Sequence, residues 1–177
     1  MSGQPHIPLP ASDAPQLPKW AEVARATVTS EAAMDTLAHR LSERLHPGDT
    51  LLLSGSVGAG KTHLARALIR AWVGVPNEPV PSPTFTLVQV YGPQDRELWH
   101  ADLYRLGDPG EVIELGLEEA MGHALCLIEW PDRLAPAWPT SAALLHLERD
   151  QDEDRTVRLL GPNGSAFAST LAGVLQP

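Results

Sequence analysis

The sequence predicts an α/β fold: a mostly parallel central sheet flanked by helices, with a hairpin and closing antiparallel strands. Three observations lead there. Thr50–Ser54 and residues 124–128 are continuous apolar runs, the pattern of strands buried on both faces of a parallel sheet. Strand-like runs alternate with segments whose apolar residues recur at helical spacing. A glycine-rich turn also joins the first apolar run to a helix.

The 177 residues, 43% hydrophobic and 20% charged, suit one domain with a sizeable core and exclude a disordered acidic tail or a fibrous chain. With 22 acidic against 13 basic residues the formal net charge is −9. Such a chain does not grip a phosphate backbone unaided, so any nucleic acid is expected to be held by a partner. The lone Cys126 rules out an internal disulfide and suits a reducing compartment. No run approaches the roughly 18 apolar residues of a membrane span, and no basic region precedes an apolar block at the N-terminus. The expected location is the cytoplasm, without membrane association.

Taken in order, residues 1–22 are expected to be an extended or disordered arm, because Pro5, Pro8, Pro10, Pro15 and Pro18 deny it regular hydrogen bonding. Residues 23–177 form the single expected domain. A strand over 24–30 ends at Ser30, an N-cap for a helix with Ala33, Leu37, Leu41 and Leu45 on one face, which Pro47-Gly48 stops. The strand Thr50–Ser54 and the helix Lys61–Val73 follow. Residues 76–83 are loop, and 84–91 pairs with 97–102 as a hairpin around Gly92-Pro-Gln-Asp95. A helical stretch over 111–121 precedes strand 124–128. Strands 142–148 and 156–160 close the sheet across the acidic turn 149–155, and 165–175 is a small terminal helix.

Gly55-Ser56-Val57-Gly58-Ala59-Gly60-Lys61-Thr62 satisfies the P-loop pattern G-x-x-x-x-G-K-[ST]. Glycines let successive backbone N–H groups converge on a phosphate, and the following helix adds the positive end of its dipole. Lys61 is expected to reach the β- and γ-phosphates, and Thr62 to place its hydroxyl on Mg²⁺. His63 also falls in the nucleotide-contacting stretch; it stands where a dinucleotide-binding turn needs Gly or Ala, which disfavours that alternative. The motif sits where its mechanism requires, after a buried strand and before a helix.

P-loop chemistry also needs a carboxylate at a strand end, to hold Mg²⁺ through its water or to orient the attacking water. Glu129 ends the apolar run 125–128, as on a central strand beside the P-loop, and is assigned to Mg²⁺ or its water shell. Asp102 follows Leu98-Trp-His-Ala101, which alternates more and looks less central; it is a second polar group near the metal or γ-phosphate. Thr84, in Ser82-Pro-Thr-Phe85, is the candidate γ-phosphate switch, against the reading of an ordinary turn. Trp130 either shields the site or meets a partner, or else packs in the core. His100 and Cys126 lack ligand spacing and are read as structural.

Together with the P-loop, Ser82-Pro-Thr-Phe-Thr-Leu87, His100-Ala-Asp-Leu-Tyr-Arg-Leu106 and Ile128-Glu-Trp-Pro131 resemble the bacterial TsaE (YjeE) family, the ATPase of threonylcarbamoyl-adenosine tRNA modification. The likeness spans about residues 28–160 and its combination of motifs is far more specific than any one. The resemblance implies a small P-loop NTPase-like domain that binds ATP and Mg²⁺ and hydrolyses weakly. It also implies work with TsaB and TsaD, which assemble the transfer site for adenosine 37 of tRNAs reading codons that begin with A. TsaE there resets the complex and is not the transferase. Carried over by motif, Lys61, Thr62, Thr84, Asp102, Glu129 and Trp130 match the family's functional positions. Ser30, Glu31 and Arg155 fall near the nucleotide base and phosphates. Val57 replaces the usual Leu at a position that contributes mainly backbone, and the Pro-rich arm departs from the family.

Two other functions share the P-loop. A small-molecule kinase would need an acceptor pocket and an Arg-rich lid, whereas the region after Glu129 offers only scattered Arg133, Arg149, Arg155 and Arg158. A nucleotide-dependent binding module would lack meaningful hydrolysis.

Overall fold

The computed structural model describes residues 17–150 and 154–176. In chain order the elements are β1 (Ala21–Val28), α1 (Glu31–Ser42), β2 (Thr50–Ser54), α2 (Lys61–Val73), β3 (Val88–Tyr91), β4 (Leu98–Asp102), α3 (Pro109–Glu114), α4 (Leu117–Ala120), β5 (Leu125–Glu129), β6 (Ala143–Arg149), β7 (Arg155–Gly161) and α5 (Ala166–Leu175). The strands form one sheet in the order β1-β7-β6-β2-β5-β4-β3. β6, β2, β5 and β4 run parallel, while β7 and β1 close one side and β3 the other with antiparallel pairs. This is the expected α/β architecture.

The apolar runs are continuous because both faces of the sheet are covered. Leu51, Leu53, Leu125 and Leu127 pack with Leu41, Leu64, Leu68 and Leu171 of the helices on one face. Leu52, Cys126 and Ile128 pack with Leu103, Leu117 and Ala120 on the other. A polar side chain on either face is costly unless it is hydrogen-bonded, so the buried His100, Asp102 and Glu129 mark a place where the sheet does more than pack. No described helix is long and apolar enough to cross a membrane.

Local chemistry sets the boundaries. Ser30 caps α1 by accepting from the Ala33 amide at 3.1 Å. The N-terminal arm lies mostly outside the described residues, but β1 begins at Ala21, inside the range expected for it, and Trp20 packs edge-on against Trp138 at 6.3 Å. The strand expected over 84–91 starts only at Val88, because 84–87 is a turn in which the Leu87 amide donates to Pro83 O at 2.6 Å and Leu87 takes φ 65°. The helical stretch expected over 111–121 is two short helices: Asp108 and Glu111 form a capping box at the start, and Gly116 at φ 72° breaks it.

Candidate nucleotide-binding site

The parallel strands β2, β4 and β5 all deliver their C-terminal ends to one place, where open α/β sheets bind ligands. From Ser54 the chain turns through Gly55 at φ 142°, and a Cβ there would overlap the Leu147 carbonyl oxygen on β6. Gly58 and Gly60 are also left-handed, at 79° and 106°. Ser56, Val57 and Gly58 stand exposed while Ala59 is buried beneath the loop. No side chain caps the orphan amides of the first turn of α2 at Gly60.

Lys61 is 4% exposed. Its Nζ donates to the carbonyls of Gly55 at 2.8 Å and Ser56 at 2.9 Å, and lies 3.9 Å from the centroid of the Trp130 ring. Burial pulls the ammonium below its ordinary pKa, and the charges of Glu129, Asp102 and Asp132 oppose that fall. The cation is thus held at the loop by the loop's own oxygens. Trp130 covers it from a left-handed backbone, φ 57°, with its ring 4.7 Å from that of Tyr104. The half-buried Trp130 thus packs against the core while its ring lies against the ammonium.

Asp102 and Glu129 are register partners on β4 and β5. Asp102 stands on an interior strand, flanked by β5 and β3, so it is more central than its alternating sequence suggests. Thr62 Oγ1 donates to Glu129 Oε2 at 2.8 Å, and the His100 ring nitrogen Nε2 lies 2.8 Å from Oε1. Asp102 Oδ1 accepts from the Tyr104 amide at 2.9 Å, and Oδ2 accepts from Thr84 Oγ1 at 3.2 Å. Ser82 Oγ lies 2.7 Å from the same Thr84 hydroxyl. Burial pushes the Asp102 carboxyl up, the Tyr104 amide pulls it down, and the neighbouring Glu129 charge pushes it up again.

A cleft of about 550 Å³ is lined by Val57, Gly58, Gly60, Lys61, Thr62, His63, Thr84, Asp102, Glu129, Trp130 and Arg155, among others. An adjoining cleft of about 290 Å³ is lined by Ser30, Glu31, Gly60, His63 and Arg155. Residues from β1, α1 and β7 that are far apart in sequence thus meet beside the loop. Gly55 and Ser56 contribute carbonyls to Lys61. Cys126 is a buried thiol pushed up to about 12 by desolvation, unreactive core as expected. His100, expected to be structural, touches Glu129 and so does more than pack; its place two residues before Asp102 sets it on the same face of β4 but names no partner.

Thr62, Glu129, Asp102 and Thr84 offer oxygens to the cleft, which suits Mg²⁺. Thr62 gives its proton to Glu129 and so keeps its own lone pairs for a cation. Among the described residues no group of three His, Cys, Asp or Glu side chains is arranged to hold a metal ion. Mg²⁺ is commonly bound through one or two carboxylates plus substrate phosphates, and needs no such cage.

Residues 28–157 match the sequence model of the family described as threonylcarbamoyl adenosine biosynthesis protein TsaE. A Rickettsia conorii protein named tRNA threonylcarbamoyladenosine biosynthesis protein TsaE is 44% identical over 106 residues, 60% of each chain. The protein of the same name from Rickettsia bellii is 38% identical over 128 residues, 72% of this chain and 88% of its own. The crystal structure of YdiB from Bacillus subtilis superposes with a TM-score of 0.68 at 22% identity, covering 85% of this chain and 92% of that one, and shares the fold.

Proposed function

The chain belongs to the TsaE family of threonylcarbamoyl adenosine biosynthesis proteins, and from that premise we propose that it is a Mg²⁺-dependent ATPase, slow on its own, required for threonylcarbamoylation of adenosine 37 in tRNA. It acts as a nucleotide-dependent switch on a TsaB–TsaD complex and touches tRNA only through that complex. The observation that carries the reading is the bond from Thr62 to Glu129, which joins the P-loop helix to the carboxylate of the adjacent parallel strand.

In this reading the amides of the Gly55–Thr62 loop and the α2 N-terminus cradle the polyphosphate, and Lys61 exchanges the Gly55 and Ser56 carbonyls for phosphate oxygens. Thr62 and Glu129 would hold Mg²⁺ or its water shell, and the ion would supply positive charge against the phosphates. Asp102, facing the same cleft, orients water or contributes to the metal's surroundings. Thr84, tied to Asp102, couples the 82–87 turn to the γ-phosphate. Ser30, Glu31, His63 and Arg155 line the side of the cleft left for the base, sugar and remaining phosphates.

The test is ATP turnover and tRNA modification by the purified chain with TsaB and TsaD added and withheld. Slow turnover alone and tRNA modification that requires the chain support the function. Fast turnover indifferent to the partners, or stoichiometric phosphate transfer to a metabolite instead of water, overturns it.

A further inference from the structure

We propose that His100 is a positioning residue for Glu129. It fixes the carboxylate so that Oε2 alone faces Thr62 and the cleft; this rests on reading that cleft as a Mg²⁺–nucleotide site. His100 is wholly buried and Glu129 is 1% exposed, with Nε2 and Oε1 2.8 Å apart. The ring comes from the middle of β4, where its register partner is Leu127 and the preceding pair on that face is Leu98 and Leu125. A leucine would fill such a place without the desolvation cost of an imidazole, so the ring's polar atom is the reason for its presence.

The ring's other nitrogen settles which way the bond runs. Nδ1 is buried and has no hydrogen-bond partner among the described residues. An orphaned buried N–H is rarer and costlier than an orphaned acceptor, so the proton sits on Nε2 and is donated to Glu129. A carboxylate held at one oxygen turns readily about its last torsion, which is broad and roughly two-fold. With Thr62 on Oε2 and His100 on Oε1, that torsion is locked. Partners of a ligating carboxylate typically matter to metal affinity by about 10–100-fold.

Binding of ADP, measured by calorimetry in MgCl₂ and again in EDTA, separates this role from a structural one. His100→Gln puts an amide N–H at nearly the reach of Nε2, whereas His100→Asn falls short and His100→Leu removes the donor. The expected result is that Leu and Asn reduce the Mg²⁺-dependent gain in ADP affinity by about tenfold or more while affinity in EDTA stays at the wild-type value, and that Gln restores the gain. An undiminished gain in the Leu and Asn variants overturns the proposal, as does a parallel loss in EDTA or a Gln variant no better than Asn. A wild-type chain whose ADP affinity ignores Mg²⁺ overturns the metal–nucleotide reading itself, and this inference with it.

Discussion

The ammonium of Lys61 lies against the face of Trp130, 3.9 Å from the ring centroid, while the same nitrogen donates to the carbonyls of Gly55 and Ser56. Trp130 reaches that position from a left-handed backbone, which costs an L-residue roughly 1–2 kcal/mol. Leu87, the other non-glycine residue with positive φ among those described, accepts from the Asp102 amide at its carbonyl, so both strained residues brace the site. The Trp130 amide is anchored in turn to Leu53 O, on the strand that leads into the loop.

Replacing Lys61 by Ala is expected to weaken ATP binding by about 10–100-fold, the worth of one or two charge-assisted hydrogen bonds. If a bound phosphate takes the ammonium away from the Trp130 ring, ATP changes tryptophan emission in the wild type. Calorimetry gives the affinities and fluorescence titration the response: Lys61→Ala should bind more weakly, and Trp130→Phe should lose the emission change while still binding by calorimetry. A Lys61→Ala chain with wild-type ATP affinity contradicts the site.

Thr62→Ala removes the hydroxyl that donates to Glu129 Oε2 and leaves that buried oxygen without this donor. Nucleotide affinity measured without metal should change little, while the dependence on Mg²⁺ weakens, and Thr62→Ser should retain it because the hydroxyl remains. Titrating MgCl₂ at fixed ATP in the two variants makes the comparison. Equal Mg²⁺ dependence in Ala and Ser variants argues against a role for the hydroxyl.

The loop glycines differ in what they tolerate. A Cβ on Gly55 collides with the Leu147 carbonyl, a backbone atom that cannot swing away, whereas one on Gly58 meets nothing within 4 Å. Gly58→Ala should therefore cost about 1–2 kcal/mol for its left-handed backbone alone. Gly55→Ala should cost about 1–3 kcal/mol more, through overpacking between β2 and β6. Urea unfolding of the two variants gives the ordering, and equal losses would mean that the β2–β6 contact yields.

Much of this was legible in the sequence because period and punctuation carry it. The apolar runs of β2 and β5 marked strands buried on both faces, and the acid at the end of β5 does lie beside the P-loop. The placement of Asp102 opposite Glu129 was harder, since strand order depends on which runs pair, and β4 alternates like an edge strand although β3 covers its outer side. His100 was illegible as a site residue: a histidine in a strand has no spacing that names its partner, and Glu129 is 29 residues away. The 84–87 turn looks like strand in the sequence because its apolar and β-branched residues fit one, while the Thr84–Asp102 bond and the Leu87 backbone depend on the folded sheet. In the helical stretch 111–121, Gly116 was the visible break.

The edge strand β1 is tied to β7 by charge as well as by its ladder, and this sets a pH dependence of known sign. Glu22 accepts from Arg158 at 2.7 Å and from Arg25 at 2.9 Å and 3.2 Å. These bonds, Arg25 first, hold its carboxyl down from an ordinary 4.5 to about 2. A carboxyl whose pKa is lower when folded binds fewer protons folded than unfolded, so its stabilisation is present above about pH 4.5 and is lost as the pH falls toward 2. The side chain is 31% exposed, so solvent screening limits the contribution at neutral pH to about 1 kcal/mol or less. Glu22→Gln should therefore unfold nearly as the wild type does between pH 4.5 and 2 only at the acid end of that window, where the wild type has already lost the interaction, and should be slightly less stable above it. Urea midpoints across the window measure the convergence. A constant gap between the two chains at every pH would mean that the carboxylate's charge contributes nothing to holding β1 on the sheet.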